Sequence, residues 1–464
     1  QARASLWFLI CSFLQKAIST LTTPIFTRLL TSAEYGQYSV YNSWKGIISV
    51  IVSMNLSYGV LMQGIVKNEG KKEEFTSSLL GLTTILVIAW CGLYYFTRHF
   101  WNSLFSLPTS QMMAMFISIW AGACFSFWST SQRVDYKYRK MVAMTIILSI
   151  VTPIVDFIVI VSTQNKITNR IIADTVLITI IYAFLSVNIF SKGKNFFNSV
   201  YWKYALLFNL PLIPHYLSQV VLGSSDRIMI KNMVGDSEAG IYSLVYMLST
   251  ILIMLNRSIN STMEPWMYRK IRDGEAQEIS SVMYPMFVMV AGINILLICF
   301  APEVLAIFAP SSYFDAVWII PPVAMSVFFQ FTYVSFAVFE FYYKKTHYVT
   351  LATLSGALLN IGMNVVFIRF FGYYAAGYTT LFCYIVFSGM HYIFMKIIVR
   401  KYIGNENIYP LKQFLIICII FLICGFLLLL TYHNAYIRYG VVVVGFIMAF
   451  LMRNKFKKLI KEVS

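Results

Sequence analysis

Five basic residues lie inside long apolar runs of this sequence: Lys16, Arg28, Lys45, Arg227 and Arg257. A cation held in hydrocarbon is costly, so each is a candidate for function. Lysine offers a compact point charge and arginine a planar fork of donors, and both suit an anion deprived of water. Lys16 is about eleven residues into its run, which at ~1.5 Å per residue places it ~16 Å deep, near mid-bilayer. Lys45 lies a turn or two into the second run from its outer end, and Arg257 in the inner half of the eighth. Arg28 and Arg227 are close to outer ends, where a long side chain can snorkel to water.

The intramembrane carboxyls are fewer: Asp156, Asp174 at the start of the sixth run, Asp226 beside Arg227, and Glu340 at the inner end of the tenth. Asp156, just after Thr152-Pro153, is the candidate ion-coupling carboxylate; the plainer reading makes it a partner of Lys16 or Lys45. Asp226 beside Arg227 reads as a local pair. Pro211 and Pro214 remove backbone donors and kink the seventh run, so freed carbonyls and His215 are placed to face a cavity. Asn256 and Asn260 flank Arg257, and Asn260 shares its helix face.

Catalytic chemistry has no foothold. G-x-S-x-G, a phosphate loop and H-E-x-x-H are absent, and the 5 histidines are scattered. The 7 cysteines all fall in apolar runs without metal or redox spacing, and read as small packing residues. No enzyme activity, cofactor or metal is expected.

The elements that position these residues are membrane helices. Charged residues make up 12% of the chain and hydrophobic ones 59%, with a mean hydropathy of +0.70, a balance that fits a polytopic membrane protein. The formal net charge of +17 is dispersed in short clusters between apolar runs, which argues against nucleic acid. Fourteen spans are expected, near 5–30, 38–62, 76–97, 111–132, 141–163, 170–190, 203–230, 239–264, 279–300, 316–340, 349–369, 373–396, 411–430 and 436–452. The first is too long and too polar, at Gln15, Lys16, Thr22 and Thr23, for a cleavable signal sequence. With the N-terminus inside, 25 of the 36 basic residues fall on inner segments and 6 on outer ones, Arg98, Lys166, Arg170, Lys231, Arg369 and Arg438. That asymmetry supports fourteen spans with both termini cytoplasmic. The loops are short, so the work is done within the membrane.

A motif recurs. Glu34-Tyr35-Gly36-Gln37-Tyr38-Ser39 and Glu238-Ala239-Gly240-Ile241-Tyr242-Ser243 share E-x-G-x-Y-S, 204 positions apart, before spans 2 and 8. Six spans separate the copies, which keeps their orientation, and the simplest account is two parallel six-span repeats. Locally, Thr31-x-x-Glu34 fits a capping box, and Gly36 and Gly240 are expected to supply a backbone conformation closed to other residues. The fold class is an all-α polytopic membrane protein of fourteen helices: a first lobe over 1–200, a second over 201–400, and two added helices with a basic tail over 401–464.

The stretches "RLLTSAEYGQYSVYNSW" (28–44), "LPLIPHYLSQVVLGSSDRIMIKNMVGDSEAGIYSLVY" (210–246) and "NIGMNVVFIRFFGYYAAGYTTL" (360–381) resemble the polysaccharide flippases of the multidrug/oligosaccharidyl-lipid/polysaccharide (MOP) superfamily. The translocases of O-antigen and capsule repeat units are the most similar, over spans 1–12. The resemblance implies a V-shaped cavity between two lobes, alternating access, and undecaprenyl-pyrophosphate-linked oligosaccharide as substrate. It further implies a bacterial inner-membrane location, H+ or Na+ as coupling ion, a polysaccharide polymerase as partner, and a monomer. A pyrophosphate with two or three negative charges would meet Lys16 and Lys45 in one lobe and Arg257 opposite, with Asn260 on the sugar hydroxyls. Two other readings stay open. A drug exporter of the same superfamily would favour an acidic, aromatic pocket, and a membrane polymerase or ligase would want a large outer loop rich in Arg and His.

Overall fold

The computed structural model describes residues 2–404, 408–445 and 447. The end of the fourteenth expected span, over 448–452, and the basic tail from Arg453 lie outside the described residues. Among those described, every regular element is helical. The chain divides into two compact units after Ile228.

The first unit holds α1 (Ala2–Leu29), α2 (Ser32–Ser53), the short α3 (Val60–Lys67), α4 (Lys72–Phe105), α5 (Thr109–Val134), α6 (Tyr138–Ser162) and α7 (Lys166–Gly193), then α8 (Ser199–Asn209) and α9 (Ile213–Met233), within which the division falls. The second holds α10 (Asp236–Arg272), α11 (Ile279–Cys299), the short α12 (Ala301–Phe308), α13 (Ile320–Tyr342), α14 (Thr346–Phe371), α15 (Tyr374–Tyr402), α16 (Leu411–Leu429) and α17 (Ala435–Gly445). Among the described residues 11 helical segments are long and apolar enough to cross a membrane, and they coincide with expected spans three to thirteen. The 28 residues of α1 and 22 of α2 are also long enough to cross, at ~1.5 Å per residue against ~30 Å of hydrocarbon. This is a multi-pass membrane protein.

Two breaks shape the first unit. Span 2 ends at Ser53 rather than near 62, because Met54 (φ 48°) and Asn55 (φ 52°) turn left-handed and Gly59 (φ 57°) starts α3 afresh. Pro211 and Pro214 convert Leu210–Leu212 to a 3-10 turn between α8 and α9, so the expected kink is present. The breaks meet: buried Asn209 donates to the Met54 carbonyl at 2.9 Å, supplying a partner that the interrupted helix lacks.

Apolar burial between helices gains little when lipid is equally apolar, so close approach and polar contacts matter more. Gly81 of α4 shows this. A Cβ there would lie 2.1 Å from the Phe196 carbonyl oxygen, and one on Gly193 would lie 2.3 Å from that of Glu73. Ser77 then donates to the Asn195 carbonyl at 2.8 Å, and the Asn195 amide to Glu74 at 2.9 Å.

Each unit uses the same neighbours. α4, α6 and α2 pack on α5 or α7 in the first, as α11, α14 and α10 pack on α13 or α15 in the second, and α5 lies on α7 as α13 lies on α15. Buried along most of its length, α13 is the central helix of the second unit.

Candidate functional site

The two E-x-G-x-Y-S copies begin helices in one register. α2 starts at Ser32 and α10 at Asp236, so Glu34 and Glu238 are both the third residue of their helices. Thr31 caps α2 reciprocally: its hydroxyl accepts from the Glu34 amide at 3.2 Å while its own amide donates to the Glu34 carboxylate at 2.8 Å. Gly235 caps α10 in extended backbone, and a Cβ on it would meet the Glu238 carboxylate at 2.6 Å. The expectation for the motif glycines is corrected. Gly36 and Gly240 are helical and buried, without positive φ, because the motif lies inside the first two turns rather than in the connecting turn. The motif tyrosines each reach the last long helix of their own set: Tyr38 donates to Asp174 of α7 at 3.2 Å, and the Tyr242 hydroxyl lies 3.4 Å from that of Thr380 of α15.

Below the first motif lies a buried charged cluster. Arg170 of α7 grips Asp156 of α6 through Nε at 2.9 Å and Nη2 at 2.7 Å. The guanidinium lies over the Tyr38 ring at 3.7 Å and the Phe26 ring at 4.5 Å, so α1, α2, α6 and α7 converge on it. Asp174, one turn after Arg170, lies within hydrogen-bonding reach of Asp156. Asp156 is therefore the partner of Arg170, not of Lys16 or Lys45. Arg170 was expected in an outer loop; α7 begins at Lys166 and draws it inside, where it is 6% exposed. Lys166 itself stays at the surface of the cluster, 3.7 Å from Glu34 and donating to the Leu29 carbonyl at 3.2 Å.

The basic candidates take distinct environments. Lys45 of α2 is half-buried and senses Asp174 electrostatically, but forms no salt bridge among the described residues. Lys16 is half-buried in α1. Arg28 is exposed and donates to the Pro24 carbonyl at 2.9 Å, a carbonyl at its own helix end. Arg227 of α9 donates to the Ser43 hydroxyl of α2 at 3.3 Å and to the Gly223 carbonyl at 3.2 Å. Half-buried His215, just past the proline break, lies 3.4 Å from Gln219. In the second unit Arg257 is exposed on α10 without a salt bridge among the described residues, Asn260 is half-buried one turn on, and Asn256 donates to the Val327 carbonyl of α13 at 2.9 Å.

Sequence reasoning missed a second buried pair. His391 Nδ1 of α15 lies 2.7 Å from Glu340 Oε1 of α13, with both side chains fully buried. The Tyr333 ring stacks on the imidazole at 5.2 Å, and Tyr333 in turn feels the charge of Arg257. Among the described residues, neither Glu340 Oε2 nor His391 Nε2 has a hydrogen-bond partner. The signal was faint: 51 residues separate the two, and only the packing of α13 on α15 joins them.

Known proteins agree with this architecture. Residues 2–270 match the family described as polysaccharide biosynthesis protein. A protein of the Lsg locus of Haemophilus influenzae is 20% identical over 285 residues, covering 58% of this chain and 66% of the relative. Among solved structures, the inward closed conformation of the lipid II flippase MurJ superposes with a TM-score of 0.73 at 13% identity, covering 98% of this chain and 100% of that one. An outward-facing multidrug resistance MATE transporter of the MOP superfamily gives 0.59 at 11%, over 88% and 97%. A MOP superfamily transporter from Pyrococcus furiosus, described as having a binding pocket of reversed polarity, gives 0.59 at 12%, over 88% and 96%. The chain belongs to the polysaccharide biosynthesis protein family, and its fold is similar to those of the MurJ flippase and the MATE transporters.

Proposed function

We propose that this protein carries undecaprenyl-pyrophosphate-linked oligosaccharide from the cytoplasmic to the outer leaflet of a bacterial inner membrane by alternating access. It would do so for assembly of O-antigen, capsule or a related surface glycan. The observation that carries the reading is that Lys45 and Arg257, on corresponding helices α2 and α10, have no carboxylate partner among the described residues. The buried carboxylates at Asp156 and Glu340 are taken up by Arg170 and His391 instead. Uncommitted cations are what a pyrophosphate crossing ~30 Å of hydrocarbon needs, because an unpaired phosphate there costs many kcal/mol. Lys16, Arg28, Arg227, Asn260 and His215 complete the proposed substrate surface.

The shared register of the two E-x-G-x-Y-S helices and the recurring helix neighbours support descent of the two lobes by duplication. Asp156 remains the proposed coupling carboxylate, with Asp174 beside it and H+ or Na+ as the ion. Fourteen spans with cytoplasmic termini, and a polysaccharide polymerase as partner, belong to the same reading. Its test is export. Lys45→Gln and Arg257→Gln should each abolish surface polymer in a strain lacking the chromosomal copy, at near-normal membrane abundance. Full complementation by both would overturn the cationic mechanism.

The fold likeness to MATE transporters keeps a drug exporter as the second reading. Such a carrier would protect cells from organic cations and would leave lipid-linked sugars on the inner leaflet.

A further inference from the structure

At the end of the first unit that the charge pattern assigns to the cytoplasm, α5 ends, α6 begins and α7 ends around one cavity of about 720 Å³. Its walls combine two kinds of residue. Trp128, Tyr138 and Phe184 supply rings, while Arg139, Lys140 and Lys192 supply charge. Trp7 of α1 stacks on Tyr138 at 6.2 Å and 6°, which backs that wall.

Basic residues on inner loops are expected in any polytopic membrane protein, and by themselves imply no ligand. Here the neighbouring charges are already sorted. Asp135 accepts from Lys72 at 2.5 Å and from Lys137 at 3.1 Å. Burial works against its charge, but those two hydrogen bonds prevail and hold its carboxyl below the usual range. Lys72 and Lys137 are thereby committed. Arg139, Lys140 and Lys192 have no carboxylate partner among the described residues, and all three line the same concave space. Three cations match the two or three negative charges of a diphosphate. The cavity is in the size range of small-ligand sites (roughly 300–1,000 Å³), leaving room for a sugar against the rings. Phe184, one of the lining rings, is 73% exposed, which leaves an open side by which a hydrocarbon tail would leave the site.

We propose that this cavity is a loading site for a polyprenyl diphosphate headgroup, which captures the lipid at the inner membrane surface before it enters the transport path. The inference rests on the flippase reading and adds to it a site distinct from the intramembrane cations. Phosphate chemistry alone would also admit a bulk anionic phospholipid or free pyrophosphate, so the test separates them.

The experiment uses purified full-length protein in detergent with a photo-crosslinking amino acid at position 184. Undecaprenyl diphosphate should form an adduct there. The combined change Arg139→Gln, Lys140→Gln, Lys192→Gln should reduce the adduct roughly 100-fold. The combined change Lys194→Gln, Lys203→Gln, Lys344→Gln removes the same charge from exposed inner-side lysines and should leave the adduct unchanged. Phosphatidylglycerol and inorganic pyrophosphate should each compete at least tenfold more weakly than undecaprenyl diphosphate. No adduct, equal loss in the two triple variants, or equal competition by either alternative anion would overturn the loading site. The flippase reading is judged separately by the export assay, since Lys45→Gln and Arg257→Gln should stop export yet leave this adduct intact.

Discussion

Arg170 sits between two carboxyls, and that arithmetic predicts an unequal response to mutation. Its side chain is 7% exposed and that of Asp156 3%, with Asp174 held beside them by Tyr38. Removing one partner of a buried ion pair costs about 3–5 kcal/mol when it strands the other charge. Arg170→Ala does that in full: Asp156 and Asp174 would adjoin each other with no guanidinium, and the cation's contacts with Tyr38 and Phe26, about 0.5–2 kcal/mol for such geometry, would vanish too. Asp156→Asn strands much less. Arg170 keeps Asp174 as a carboxylate neighbour, keeps both rings, and retains an amide oxygen as acceptor, so a loss of about 1–2 kcal/mol is expected. Arg170→Lys should fall between, because the charge survives and the two-pronged grip at 2.9 and 2.7 Å does not. The assay is the apparent melting temperature of the purified variants in one detergent at one scan rate, since membrane-protein unfolding is read kinetically. The expected order is wild type, Asp156→Asn, Arg170→Lys, Arg170→Ala. If Asp156→Asn melts as low as Arg170→Ala, Asp174 does not share the guanidinium and the cluster is a simple pair. If Arg170→Ala melts like wild type, the cluster has no structural weight. Because Asp156→Asn should fold, it also isolates the proposed coupling role, which export at varied pH and sodium concentration would read.

Two further outcomes follow from packing and burial. Gly81→Ala should lower stability by about 1–3 kcal/mol, more than Gly92→Ala on the same helix, because only the first Cβ would strike backbone; equal melting of the two variants would contradict the close approach to Phe196. Glu340→Ala should cost about 1–3 kcal/mol by leaving the fully buried His391 imidazole without its hydrogen-bond partner, and the double change with His391→Ala should cost less than the two single changes summed; strict additivity in the same melting assay would mean that the pair does not interact.

Much of the helix order was legible because membrane helices announce themselves as long apolar runs. The proline break before His215 and the Thr31–Glu34 box were legible too, since each is a local rule. What stayed hidden was hidden for particular reasons. Arg170 reads as loop because a hydropathy window counts its charge and cannot see Asp156, 14 residues back across a turn. The end of α2 is masked by Leu56 and Val60, apolar residues that extend the run after Met54 has already turned left-handed. Gly36 and Gly240 look like turn residues until the helix starts are located two residues before Glu34 and Glu238. His391 carries no pattern at all; its meaning comes from Glu340 on another helix.

The distribution of ion pairs refines the charge argument from which the topology was drawn. Of the six basic residues assigned to outer segments, four hold a carboxylate: Lys166 with Glu34 at 3.7 Å, Arg170 with Asp156 at 2.7 Å, Lys231 with Asp236 at 3.7 Å, and Arg438 with Glu303 at 2.6 Å. Each joins different helices or the two sides of a turn, so these cations act as ties within the fold. On segments assigned to the inner side, pairs such as Lys72 with Asp135 also occur. Even so, Arg139, Lys140, Lys192, Lys194, Lys203 and Lys344 have no carboxylate partner among the described residues. Unpaired positive charge is therefore more one-sided than a count of letters suggests. A free lysine near a helix end resists translocation, whereas one neutralised by a neighbouring carboxylate can be carried across as a dipole. The same surplus that would hold these loops at the cytoplasmic surface also surrounds the cavity at Trp128, so orientation in the membrane and capture of an anionic headgroup would draw on one set of residues.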